Sequence, residues 1–194
     1  GFQLRITEDI AGPGGTTRYI RLRAGGTFHR RLSGNIDVSL GLEGGYMKGI
    51  GGRDVPLFDR FYIGGNSMRG FDLRGLGPKV VPTAAAPGQT TAIGGRAYYV
   101  GRVEIAMRLD GAFDKFGVSP SLFVDAGSVF GAKKSELLPG ERLIGNAAKP
   151  RVAVGLGLSF NVSAGKLRFN IARPVARQAG DRSQSFSITF GTAF

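Results

Sequence analysis

The sequence predicts an all-β protein, an antiparallel transmembrane β-barrel of eight strands. The first observation behind this prediction is a strict alternation of side chains. Between residues 151 and 162 every even position is apolar, whereas the odd positions carry Arg, Ala, Gly, Ser or Asn. An alternation of this length is long for an ordinary strand and typical of a tilted strand that crosses a membrane. The second observation is that short and long connections follow one another along the chain.

The same alternation recurs in other segments. At residues 36–43 apolar side chains alternate with Asp, Ser, Gly and Glu, and at 102–109 they alternate with Arg, Glu and Ala. The segment 118–130 is more apolar on both faces but keeps Asp125. We predict strands at residues 2–10, 17–30, 36–43, 102–109, 118–130, 151–162, 166–171 and 185–194.

The connections place these strands relative to a membrane. Short turns on one side and long loops on the other are typical of an outer-membrane barrel. The apolar face of the sheet is then expected to contact lipid, while the face with Arg, Glu, Asp and Gly lines the interior. Apart from a brief link at 11–16, the chain has short turns at 31–34, 110–115 and 163–165, and long loops at 47–94, 131–148 and 174–183.

A soluble β-sandwich or a water-filled barrel is the alternative, because its strands also alternate, with the apolar side turned inward. The strand length and the small and charged residues on one face favour the membrane barrel. The net charge of +12 comes from Lys and Arg that are spread along the chain and form no block. Such a distribution favours a polar interior or contact with lipid headgroups, so we expect no nucleic-acid partner.

The residue types leave little basis for enzymatic chemistry. The chain has no cysteine and a single histidine, His29, so we expect no metal site and no cysteine nucleophile. It also lacks the G-x-S-x-G motif of serine hydrolases and the G-x-x-x-x-G-K-[ST] phosphate loop. We therefore expect that the protein is not an enzyme and needs no cofactor.

The long loop 47–94 carries the most specific motif. It contains Asp59-Arg60-Phe61-Tyr62-Ile63-Gly64-Gly65, then Arg69-Gly70-Phe71, then Gly75-Leu76-Gly77-Pro78. Later come Phe123-Val124-Asp125-Ala126-Gly127 and the C-terminal Phe190-Gly191-Thr192-Ala193-Phe194. Together these motifs resemble the bacterial surface-antigen family of BamA-type outer-membrane assembly factors and their relatives. Met68 stands where that family usually has valine before Arg-Gly-Phe or Arg-Gly-Tyr.

The resemblance implies a fold and a function. Residues 1–194 would be the C-terminal transmembrane β-barrel domain, the last eight strands of a sixteen-stranded barrel, with the POTRA domains and the first half of the barrel absent. The function would be the assembly and insertion of other β-barrel proteins in the bacterial outer membrane, by strand-edge templating and local membrane destabilisation. The implied partners are membrane lipid and, for the full-length protein, unfolded outer-membrane clients and assembly lipoproteins. The alternative is a secretion pore or an anion-selective pore.

The resemblance also implies roles for particular residues. It implies that the loop folds into the barrel and places Arg69 against acidic residues of the inner wall. The alternation puts two candidate partners on that face, Glu104 and Asp125. The other candidates are Gly64, Gly65 and Gly70, which allow unusual backbone conformations, Phe71, which packs the loop, and Phe186, Ile188, Phe190 and Phe194, which form the C-terminal signal and gate strand. Without the family match, a solvated loop arginine would be the simpler reading of Arg69.

The sequence leaves three possibilities for the eight strands, a closed barrel, a homodimer or an open sheet. The interior of an eight-stranded barrel has room only for side chains, so closure of a single chain would expel the loop and separate Arg69 from Asp125. An open strand edge is costly in lipid, and we therefore expect a single closed barrel with little insertase activity. A homodimer or an open sheet would keep the contact. The segment 80–93 is expected to be a flexible surface tip.

Overall fold

The computed structural model describes residues 1–12, 17–83, 89–109, 117–162 and 165–191. Within these ranges the only helices are single 3₁₀ turns, and none is long and apolar enough to cross a membrane. The strands are β1 (Phe2–Ala11), β2 (Tyr19–Ser33), β3 (Ile36–Gly49), β4 (Lys79–Pro82), β5 (Thr91–Ala92), β6 (Ala97–Met107), β7 (Ser119–Phe130), β8 (Glu141–Ile144), β9 (Arg151–Val162), β10 (Gly165–Ala176) and β11 (Phe186–Gly191).

The main sheet has eight strands in the order β1-β2-β3-β6-β7-β9-β10-β11, and each neighbouring pair is antiparallel. Each of the eight predicted strands is a strand of this sheet. The predicted all-β antiparallel class is therefore confirmed. The register between β6 and β7 places Arg102 opposite Asp125 and Glu104 opposite Phe123.

The prediction of a closed single barrel is wrong. The sheet is open, because β1 and β11 are its two ends and do not pair with each other in the described part of the chain. The reason is volume, since a closed eight-stranded barrel has an interior wide enough only for side chains. In the open sheet the long loop packs on the inner face and Arg69 reaches Asp125. The inner face is here the one that carries Glu104 and Asp125.

Two long connections contain regular structure. In the loop 47–94, β4 pairs with β5, and β4 also pairs with β8 from the connection between β7 and β9. The prediction of a flexible tip at 80–93 is wrong for its described part, because these residues contribute β4 and β5, and Val80 and Ile93 are buried. Residues 84–88 lie outside the described ranges.

The two faces of the main sheet differ as the alternation predicts. The outer face exposes large apolar side chains, whereas the inner face is covered by the loop over much of its area. A core forms between loop and sheet, and it is made of Tyr19, Met47, Val55, Phe61, Ile63, Met68, Phe71, Leu76, Val100, Val129 and Ala153. The exposed apolar side chains include Leu4, Ile6, Leu22, Leu42, Val103, Ile105, Leu122, Val124, Leu156 and Ile171.

Candidate functional site

Arg69 lies on the inner face of the sheet and binds both predicted acidic residues. Its Nε and Nη2 donate to the two carboxylate oxygens of Asp125 at 2.9 and 2.6 Å. Its main-chain N–H donates to the same carboxylate at 3.0 Å, and Nη1 donates to Glu104 Oε2 at 2.8 Å. The Asp125 side chain is fully buried and that of Arg69 is 11% exposed. A planar guanidinium is suited to such a two-point contact with a carboxylate.

Neighbouring groups complete the environment of Arg69. The guanidinium carbon lies 3.5 Å from the centre of the Phe123 ring, a cation–π contact. Glu104 also binds Arg168 at 2.8 Å, so one carboxylate serves two arginines. Burial opposes the charge of Arg69, but the hydrogen bonds and charges of Asp125 and Glu104 outweigh burial and raise the pKa of the guanidinium above its ordinary value. Arg69 is therefore held in its charged form.

The residues on either side of Arg69 fix the loop to the sheet. Met68 and Phe71 are buried in the core between loop and sheet. Gly70 has φ +86°, and a Cβ built there would lie 2.7 Å from the Cβ of Ala153 and 3.3 Å from that of Ala172. The main chain thus touches β9 and β10 at a point where no side chain fits. Gly70 is required for its size as well as for its backbone conformation.

The predicted glycines Gly64 and Gly65 begin the turn that leads to Arg69. Gly64 has φ +131°, and an added Cβ would lie 2.0 Å from the carbonyl oxygen of Asp72. The hydroxyl of Ser67 accepts a hydrogen bond from the Gly64 N–H at 2.9 Å and donates to the Gly64 carbonyl at 2.8 Å. Gly65 has φ +60°, a Cβ built there would make only ordinary contact with Leu73 at 3.6 Å, and its N–H donates to the carbonyl of Phe71 at 2.8 Å.

The predicted gate strand is β11, at the end of the sheet. Phe186, Ile188 and Phe190 point outward and are each about half exposed. The predicted terminal residue, Phe194, lies outside the described residues. None of these side chains contacts the Arg69 cluster in the described residues. The described apolar side chains of β11 thus point away from the loop motif.

A buried ion pair at the start of β9 escaped the sequence analysis. The Nε and Nη2 of Arg151 contact the two oxygens of Asp181 at 3.1 and 3.3 Å, and both side chains are almost completely buried. Nearby, the Lys79 ammonium donates to the carbonyls of Gly75 and Gly180, and burial lowers the pKa of Lys79. The alternation places Arg151 on the inner face, but no pattern in the sequence points to Asp181.

Comparisons with known proteins identify the family of this chain. The family model described as the Omp85 superfamily domain matches residues 1–194, the whole chain. The chain belongs to the Omp85 superfamily. The predicted family resemblance is therefore confirmed.

Relatives within the Omp85 superfamily are long proteins of which this chain matches a part. The chain is 30% identical to the outer membrane protein assembly factor BamA of Neisseria meningitidis, over 100% of the chain and 26% of that protein. It is 30% identical to the sorting and assembly machinery component 50 homolog A of Xenopus laevis, over 94% of the chain and 38% of that protein. The chain thus spans about a quarter to two-fifths of the length of these relatives.

One solved structure has the same fold. The crystal structure of BamA from Haemophilus ducreyi lacking POTRA domains 1–3 superposes on all of this chain with a TM-score of 0.82 and 24% sequence identity. The match covers 38% of that chain. The chain therefore has the fold of about two-fifths of that structure.

Proposed function

We propose that this chain is the C-terminal half of the sixteen-stranded barrel of an outer-membrane protein assembly factor. In this proposal the protein folds and inserts other β-barrels in a bacterial outer membrane, without covalent chemistry, by offering a strand edge and disturbing nearby lipid. An unpaired strand edge templates pairing because its N–H and C=O groups lack partners. Lipid supplies no water to satisfy those groups, so a client strand that docks there is stabilised.

The observation that carries the proposal is the Arg69 loop docked on the inner face of an open sheet. Its inner face is covered over much of its area by an ordered loop. Two relatives that match 100% and 98% of the chain carry the name outer membrane protein assembly factor. Each of these features supports a function in the insertion of β-barrel proteins rather than in the passage of solutes through a pore.

A secretion pore or an anion-selective pore is the second candidate. Strong anion selectivity would need basic side chains without carboxylate partners on the inner face. Six arginines of the inner face are instead paired with carboxylates. The pairs are Arg21–Asp9, Arg23–Asp9, Arg102–Glu43, Arg108–Asp37, Arg151–Asp181 and Arg168–Glu104.

Liposomes that contain the full-length protein test the function directly. We expect them to accelerate the appearance of folded, protease-resistant client barrels relative to empty liposomes and to liposomes with a porin. The fraction of folded client is read from its altered mobility in unheated gels. Equal folding rates in all three preparations, together with a large anion-selective conductance, would favour the pore.

The lipid-facing surface is tested by a charge placed on it. Leu156, in the middle of β9, is 57% exposed, and Val175, at the end of β10, is 60% exposed. In a membrane, Leu156→Arg is expected to destabilise the folded protein by about 2–4 kcal/mol and Val175→Arg by about 0–1 kcal/mol, because the cost of a charge falls toward the interface. Urea titration in lipid vesicles measures both. Equal, small effects would mean that this face contacts water.

A further inference from the structure

The linker between β10 and β11, residues 177–185, is hydrogen-bonded to the Arg-Gly-Phe motif. Phe71 and Ser183 form an antiparallel bridge. On one side of the bridge the N–H of Asp72 donates to the linker at 3.0 Å, and on the other side the N–H of Gln184 donates to the loop at 3.1 Å. The linker therefore forms a short two-stranded ladder with the loop just before β11 begins.

The same linker is attached to β9 by the buried ion pair. Arg151 holds Asp181 through two N–H groups, and its remaining donors bind Ser128 Oγ at 2.6 Å and the carbonyl of Gly145 at 2.7 Å. The Arg151 guanidinium is thus fully enclosed and fully bonded. An ion pair of this kind has one geometry and holds its chain segments in one place.

The strand that follows the linker has few other attachments. β11 pairs with β10 over six register positions, from Lys166↔Gly191 to Ile171↔Phe186. Its other edge has no strand partner among the residues that the structure describes. Among the described residues, β11 is therefore held by its pairing with β10 and by the linker that precedes it.

We propose that Arg151 and Asp181 are positioning residues that make linker 177–185 a mechanical coupling between the Arg69 loop and β11. A loop docked on Asp125 holds the linker, and the linker holds β11 against β10. Release of either anchor loosens β11. Coupling of this kind is reciprocal, so loss of β11 pairing also weakens loop docking. Its use as a control of the strand edge rests on the proposed insertion function.

Hydrogen exchange of β11 amides in the full-length protein tests the coupling. Asp181→Asn keeps the side-chain volume and removes the charge that holds Arg151. We expect exchange at residues 186–190 to rise about tenfold or more through local opening, with β2 and β3 unchanged. Arg69→Ala is expected to raise exchange at the same residues. The matched control is Arg182→Ala, which removes an exposed ion pair with Asp72 at 3.6 Å but keeps the main-chain ladder, and leaves β11 exchange as in the wild type.

A reversible disulfide gives a second, independent test. The chain has no cysteine, so Asp72→Cys with Arg182→Cys creates a single pair across the ladder. Oxidation is expected to lower exchange in β11 and reduction to restore it in the same sample. The proposal is overturned if hydrogen exchange in β11 is unchanged both by Asp181→Asn and by oxidation of the disulfide. If Asp181→Asn does not fold, an unchanged exchange in β11 on oxidation is enough to overturn the proposal. Because exchange needs no client protein, either outcome leaves the insertion assay as a separate test of the proposed function.

Discussion

Arg69→Ala is expected to destabilise the folded protein by about 3–5 kcal/mol, the range found when one partner of a buried ion pair is removed. The substitution leaves the carboxylate of Asp125 fully buried with no guanidinium to neutralise it. It also removes the cation from the Phe123 ring. The loss is measured by urea unfolding in lipid vesicles, followed by the mobility of the folded form in unheated gels.

Arg69→Lys tests whether the positive charge is sufficient or whether the planar guanidinium group is also needed. Lysine keeps the positive charge but cannot form two parallel N–H bonds to Asp125 while also reaching Glu104. We expect it to recover only part of the lost stability. In the insertion assay both variants are expected to be slower than the wild type, with the lysine variant in between. If lysine restored full stability, charge alone would explain the contact.

Two further variants complete the test of Arg69. Combining Arg69→Ala with Asp125→Asn removes both charges, so the double variant is expected to be more stable than the sum of the single effects predicts. The matched control is Arg31→Ala, which breaks an exposed pair with Asp37 at 3.3 Å and is expected to cost about 0–1 kcal/mol. An Arg69→Ala effect no larger than that of Arg31→Ala would contradict a buried anchor.

The main sheet could be predicted from the sequence because membrane strands repeat with a period of two. The alternation of side chains placed Glu104 and Asp125 on one face, and the structure puts both within hydrogen-bond distance of Arg69. This alternation can be read within each strand, without knowledge of the rest of the fold. The family resemblance then selected Arg69 as their partner from among many arginines.

Closure and the small sheet could not be predicted in the same way. Whether β1 pairs with β11 depends on how much volume the long loop occupies on the inner face. That volume cannot be read from the residue pattern of any single segment. The strands β4, β5 and β8 span two to four residues each, too few to display a period. Their pairing is decided by tertiary contacts of side chains such as Val80. The Arg151–Asp181 pair likewise joins residues whose separation follows no repeat.

Gly70→Ala is expected to destabilise the folded protein by about 2–5 kcal/mol, from two separate causes. A non-glycine residue at φ +86° costs about 1–2 kcal/mol. The added methyl group also lies 2.7 Å from the Cβ of Ala153, and overpacking of this kind costs about 1–3 kcal/mol. Gly65→Ala is the matched control, because Gly65 has φ +60° but its nearest neighbour, the Leu73 side chain, is 3.6 Å away. It should show the backbone cost without the steric cost.

A second substitution is expected to relieve the steric part of the destabilisation caused by Gly70→Ala. Ala153→Gly removes the methyl group that an alanine at position 70 would strike, while Ala172 stays at 3.3 Å. We therefore expect the double variant, Gly70→Ala with Ala153→Gly, to be at least about 1 kcal/mol more stable than the sum of its single effects. Urea unfolding of the four proteins gives this coupling energy. Strict additivity would mean that the loop does not approach β9 at Gly70, and the role of that glycine would then reduce to its backbone conformation.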